Sequence, residues 1–205
     1  PLTLPAVPAL WNVWLEAGVI PSRLHRAISA GAPLPLPLEQ AVFERCGLKL
    51  HNFLGASECG GIAYDASETP RTDARVAGTP LQGVSLTIDD GGCLVVRSPA
   101  VGSGYWPGTD PHLGDGVYRS GDLAELGDDG GVRLRGRAGD GINVAGRKVQ
   151  PETIEAELLR HPSVTRALVL GLPLEDSGTR GDTVAAVLQT ASAVTDGELR
   201  DFLLA

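Results

Sequence analysis

A chain of 205 residues, 42% hydrophobic and 20% charged, is long enough to bury one large core or two small ones. Its formal net charge of −8 comes without any Lys/Arg block, which excludes the electrostatic footprint of a nucleic-acid binder. No apolar run reaches membrane-spanning length and no signal peptide opens the chain, so neither a membrane span nor a secreted precursor is expected.

The first predicted element is a helix over Ala6–Ala17, with Leu10, Trp14 and Leu15 on one face and Gly18 as its C-cap. A strand at Arg26–Ser29 runs into the turn A-G-A-P-L, and a second helix follows from Pro37 to Cys46, closed by Gly47. A strand at Leu48–Phe53 then delivers the loop N-F-L-G-A-S-E. This is α/β alternation, and loops that leave strand ends in such folds are where ligands bind. From Val76 to Arg135 the pattern changes to short alternating segments between glycine-rich turns: Val84–Ile88, Leu94–Arg97, Val117–Arg119 and Val132–Arg135. They predict an antiparallel β region that could close as a small barrel. After Gly136 come a helix over Pro151–His161, strands at Ala167–Leu172 and Val184–Gln189, and a last helix that opens with the capping box Thr195–Glu198. The fold class is therefore α/β (1–75), a β-rich subdomain (76–138) and a small α+β C-terminal domain (139–205), with the boundary near Arg137–Asp140.

Cys46, Cys59 and Cys93 are odd in number, far apart and without metal-ligand spacing, and they read as free thiols of a reducing compartment, the cytoplasm. The absence of methionine, and ends that read as helix, suggest a piece of a longer protein.

Four phrases carry chemistry. In Y-R-S-G-D-L, Asp122 follows a glycine at a predicted strand end, where a carboxylate can accept two hydrogen bonds from a vicinal diol; a plain strand-terminating Asp is the alternative. In G-R-A-G-D, Arg137 lies beyond the next strand, where its guanidinium can clamp ribose or phosphate oxygens or make a surface salt bridge. In N-F-L-G-A-S-E-C-G-G, Ser57 can bond a phosphate and Glu58 can hold magnesium through one carboxylate, with Gly55, Gly60 and Gly61 permitting close approach. S-A-G-A-P-L at Ser29–Leu34 puts small residues where a flat slot for a nucleobase could form. The stretch Glu175–Asp182 lacks the G-x-x-x-x-G-K-[ST] pattern and reads as a solvent loop. His25, His51, His112 and His161 lie in no nucleophile context, so no Ser-His-Asp set is expected.

Together with G-I-N-V-A-G-R-K-V-Q-P-E at Gly141–Glu152, these phrases resemble, in this order, the core motifs of the adenylate-forming superfamily: acyl-CoA synthetases, adenylation domains of peptide synthetases and luciferases. The resemblance runs from about Ser22 to the end and implies a partial fold of that kind. It implies adenine contacts from Gly31, Ala32 and Pro33, and a nucleotide loop of Asn52, Phe53, Leu54, Gly55, Ala56 and Ser57. The aromatic that the family stacks on adenine is Leu54 here, while Phe53 is aromatic on the opposite alternation. Asp122 matches the ribose-binding Asp, Arg137 the Arg at the domain junction, and Glu58 the magnesium-serving Glu. The hinge position is Gly139, and the usual Lys of the motif is Asn143. Val144, Ala145, Gly146 and Arg147 resemble the loop that approaches the CoA thiol, and Gly60 and Gly61 border the acyl pocket.

The implied activity joins a small-molecule carboxylate to ATP, with Mg2+, as an acyl-adenylate and passes the acyl group to CoA. The rivals are an adenylation module that loads a carrier protein and a non-catalytic nucleotide-binding homologue. The V-A-G-R-K-V loop is closer to the ligase version. The phosphate loop would lie upstream of Pro1 and the adenylation lysine downstream of Ala205, so the chain alone is expected to be inactive or nearly so.

Overall fold

The structure, a computed structural model, describes residues 1–139, 141–144, 147–173 and 182–204. The chain opens with strand β1 (Leu2–Ala6), which pairs in parallel with β2 (Leu24–Ala30), and not with a helix. Helix α1 (Pro8–Ala17) begins only at Pro8, which stands at the first helical turn where its missing N–H costs nothing. Gly18, in the left-handed region at φ 65°, closes it. The buried stripe is Pro8, Trp11 and Leu15, whereas Leu10, expected in the core, is exposed. Trp11 can be fully buried because its indole Nε1 donates to the Ile28 carbonyl at 3.0 Å.

Helix α2 (Leu36–Cys46) lies between β2 and β3 (Leu50–Ala56), the two strands that carry the predicted ligand loops. β3 pairs in parallel with β2 and antiparallel with β4 (Gly60–Tyr64), a strand that its two opening glycines hide from pattern reading. Then follow β5 (Val76–Pro80), β6 (Ser85–Ile88), β7 (Cys93–Arg97), β8 (Leu113–Gly114), β9 (Val117–Leu126) and β10 (Val132–Arg137). Among the described residues these ten strands form one sheet, in the order β1-β2-β3-β4-β5-β10-β9-β7-β6, with β8 on β9. The strands of the second half therefore continue the sheet begun by the first. β9 runs through Gly121 and Asp122 to Leu126 because β10 and β7 flank it on both sides. Asp122 thus sits inside a strand, and Arg137 is the last residue of β10 instead of lying beyond it.

The contacts divide the chain into two compact units: residues 1–120 with 124–134, and residues 121–123 with 135–205. The first holds two cores. One joins α1, α2 and the first three strands through Trp11, Leu15, Ala27, Val42 and Leu50, and the other fills the later strands with Ile62, Ala63, Leu94, Val96 and Val132. The second unit adds β11 (Ile142–Val144), β12 (Arg147–Val149), α3 (Pro151–Leu158), the hairpin β13 (Val164–Pro173) with β14 (Asp182–Thr190), and α4 (Asp196–Leu204). Ile142, Leu158 and Val169 form its core. No helix among the described residues is long and apolar enough to cross a membrane.

Candidate functional site

In the first unit, Gly31, Ala32 and Pro33 are exposed at the end of β2, while Leu34 beside them is buried. Gly31 takes φ 83°, a conformation a side chain disfavours, so the turn depends on it. Asn52 and Phe53 pair alongside this turn in β3, opposite Ser29 and Ala30. The Asn52 amide donates to the Val76 carbonyl at 3.2 Å, and its own carbonyl accepts from the Asp65 N–H at 2.9 Å. That side chain braces the loop. Leu54 and Ala56 pack against the β-sheet core. The Phe53 ring instead covers Gly55 and Gly61: a Cβ on Gly61 would stand 2.7 Å from Phe53 Cζ and 2.5 Å from Leu81 Cδ1. The room that Gly61 leaves is filled by this chain's own ring and Leu81.

Glu58 follows the exposed Ser57 in the turn that leads into β4. Its carbonyl accepts from the Gly102 N–H at 2.8 Å, and its Oε1 accepts from the Tyr105 hydroxyl at 2.7 Å. The bond to that carboxylate pushes the Tyr105 phenol up to about 12. Sequence reasoning missed Tyr105, since 47 residues separate the partners and no periodicity links them. Among the described residues no three His, Cys, Asp or Glu side chains group as a metal cage.

In the second unit, Arg137 Nε lies 3.2 Å from Asp122 Oδ1, and the Ala138 N–H donates to the Gly121 carbonyl at 2.8 Å. Arg137's side chain is 58% exposed and Asp122's 24%, so the guanidinium is the more open member of the pair. Two residues predicted from separate strands therefore meet. A Cβ on Gly121 would stand 3.9 Å from Arg137 Nη2, which leaves the guanidinium room beside the strand.

Gly139, predicted as a hinge, has open space around it. The glycine that the geometry demands here is Gly136, at φ 126°, where a Cβ would meet Gln150 Oε1 at 2.8 Å and Glu152 Oε2 at 3.0 Å. Val144 and Arg147 face each other across the β11–β12 turn, with Arg147 exposed, and Asn143 N–H donates to Asp182 Oδ2 at 3.0 Å. Asp140, Ala145, Gly146 and 174–181, which include most of the predicted solvent loop, lie outside the described residues.

Residues 1–106 match the model of a protein family described as AMP-binding enzyme. The chain belongs to that family, the adenylate-forming superfamily its motifs resemble. It is 37% identical over 150 residues to a long-chain-fatty-acid–CoA ligase of Mycobacterium bovis, covering 71% of this chain and 24% of the relative. It is 29% identical over 218 residues to triostin synthetase I of Streptomyces triostinicus, covering 96% of this chain and 40% of that protein. Among solved structures, o-succinylbenzoate CoA synthetase of Bacillus subtilis with its acyl-adenylate intermediate superposes with a TM-score of 0.82 at 28% identity. That match covers 99% of this chain and 44% of the synthetase. The chain thus spans less than half the length of these relatives.

Proposed function

We propose that the chain supplies the nucleotide-handling part of an ATP-dependent acid–thiol ligase. In the full reaction a carboxylate oxygen attacks the α-phosphorus of ATP, pyrophosphate leaves, and a thiol then displaces AMP from the acyl carbon. The observation that carries this reading is the meeting of Asp122 and Arg137 at 3.2 Å, with the Arg137 side chain mostly exposed. Asp122 accepts from the ribose hydroxyls, and Arg137 supplies a planar pair of donors to ribose or phosphate oxygens.

Magnesium takes one or two carboxylates and completes its shell with water and substrate phosphates, so the Glu58 carboxylate beside the exposed Ser57 is the group proposed to meet it. Glu58 would hold it, and the ion would neutralise charge that builds on the phosphates. Tyr105, by occupying Oε1, orients the carboxylate. Gly31, Ala32 and Pro33 flank the base, and Gly60 and Gly61, with Phe53 over Gly61, border the acid. Val144 and Arg147 take the CoA side.

CoA is the proposed acceptor, in line with the likeness to the long-chain-fatty-acid–CoA ligase. The likeness to triostin synthetase I favours a second reading, with a carrier-protein thiol in that place. None of the three cysteines forms a disulfide, in keeping with a reducing compartment, the cytoplasm. Calorimetric titration with ATP and Mg2+ tests the core of the reading. Asp122→Ala is expected to weaken ATP by about tenfold, the size of one lost charge-assisted contact. Equal affinity would remove the ribose assignment.

A further inference from the structure

Behind the exposed turn and loop of the first unit lie four charged side chains out of water. Glu39 on α2 is 0% exposed, and Lys49, Asp65 and Arg71 are also buried. Lys49 Nζ bonds Glu39 Oε1, reaches Asp65 Oδ2 at 2.7 Å and donates to the Leu50 carbonyl at 3.0 Å, where β3 begins. Arg71 Nε donates to Glu39 Oε2 at 2.9 Å, and the Arg71 backbone N–H to Glu39 Oε1 at 3.0 Å. Two acids and two bases balance, so the set carries no net charge into the interior.

Arg71 reaches further than its ion pair. Its Nη2 donates to the Leu34 carbonyl at 2.8 Å, at the end of the turn Gly31–Leu34. Its Nη1 donates to the Val76 carbonyl at 2.7 Å and to that of Ala74 at 3.3 Å. The Val76 carbonyl also accepts the Asn52 amide at 3.2 Å. One guanidinium therefore ties the turn proposed for the nucleobase to the first residue of β5, and the carbonyl it holds there also accepts from Asn52 in β3, the strand that delivers the phosphate loop. A lysine could hold Glu39 there but could not span these carbonyls, because only the planar fork sends donors in fixed, diverging directions.

We propose that Arg71 is a positioning residue for nucleobase recognition, held by Glu39, Lys49 and Asp65, and that it sets the distance between the Gly31–Leu34 turn and β3. This rests on the nucleotide reading above. The test compares the affinities of the unsubstituted chain, Arg71→Lys and Arg75→Lys for ATP and GTP, each expressed per folded molecule well below the melting temperature. Arg75 is exposed and paired with Asp73 on the same loop, and serves as the control.

The unsubstituted chain and Arg75→Lys are expected to prefer ATP by about tenfold or more, and Arg71→Lys to lose most of that preference. A merely structural role would lower both affinities alike and leave their ratio intact, and that result overturns the proposal. An unsubstituted chain that binds neither nucleotide, or both equally, overturns the nucleotide reading itself and the inference with it. Where Arg71→Lys does not fold, hydrogen exchange on the unsubstituted chain decides. ATP is expected to protect 71–76 together with 31–34, and protection of 31–34 alone would sink the proposal.

Discussion

Glu39, Lys49, Asp65 and Arg71 meet out of water, and the two cations donate their remaining N–H groups to the chain's own carbonyls, whereas Asp122 and Arg137 meet partly in water across neighbouring strands. The same chemistry serves opposite ends. A buried ionic set holds only while every member is matched, since removal of one partner strands a charge in a poorly solvating interior. A pair that keeps contact with water is less costly to re-pair. The first kind of set braces the backbone, and the second is the one proposed above for the nucleotide.

Removing Glu39 should break this contrast hardest. Glu39→Leu leaves Arg71 buried without a carboxylate and Lys49 with Asp65 alone, and is expected to destabilise the first unit by about 3–5 kcal/mol in urea unfolding. A loss below about 1 kcal/mol would mean that the charges escape to water. In the second unit, Gly136→Ala forces a side chain into a left-handed backbone against Gln150 and Glu152, at an expected cost of about 1–3 kcal/mol, again by urea unfolding. Asp122→Ala should cost less stability than Glu39→Leu in the same urea unfolding, while it lowers ATP affinity.

Acid should separate the two sets as well. Burial alone would raise the Asp65 pKa, but hydrogen bonds from Lys49 and Ser67 outweigh it and hold the carboxyl below its ordinary range. A depressed carboxyl stabilises the fold above its unfolded value near about 3.9 and ceases to do so as pH falls through the lower folded value. Melting of the first unit followed from pH 6 downward, with pH values set around about 4, should therefore show the Asp65 contribution vanish only in the acid range, and Asp65→Asn should abolish that part of the slope.

The smallest effect is spectroscopic. Tyr105, pushed up to about 12 by its bond to Glu58, should ionise at lower pH in Glu58→Gln when followed by phenolate absorbance. An unchanged titration would show that the bond does not persist in solution.

Legibility divided along similar lines. Gly18 and Gly47 end their helices as their positions beyond apolar stripes predicted. Thr195 and Glu198 make the reciprocal bonds of the capping box, with distances of 2.8 and 3.3 Å. These are local events within one helical turn. The alternating segments after Val76 were legible as strands, but their lengths were not. Gly121 looked like a terminus, because a glycine weakens an isolated strand, yet partners on both sides carry β9 past it. The strands β1 and β4 escaped notice, the one behind prolines and the other behind glycines.

The motif order, the glycine-bounded helices and the residue types suited to ribose, phosphate and magnesium could all be read from the amino-acid string, because each depends on neighbours a few positions apart. Only folding decided that Glu39 would find Arg71 32 residues away, that Tyr105 would find Glu58, and that Phe53 would fill the space beside Gly61. Those contacts form where strand crossovers bring distant segments together, and the cost of leaving a buried charge or a cavity unmatched, which no local pattern encodes, selects them.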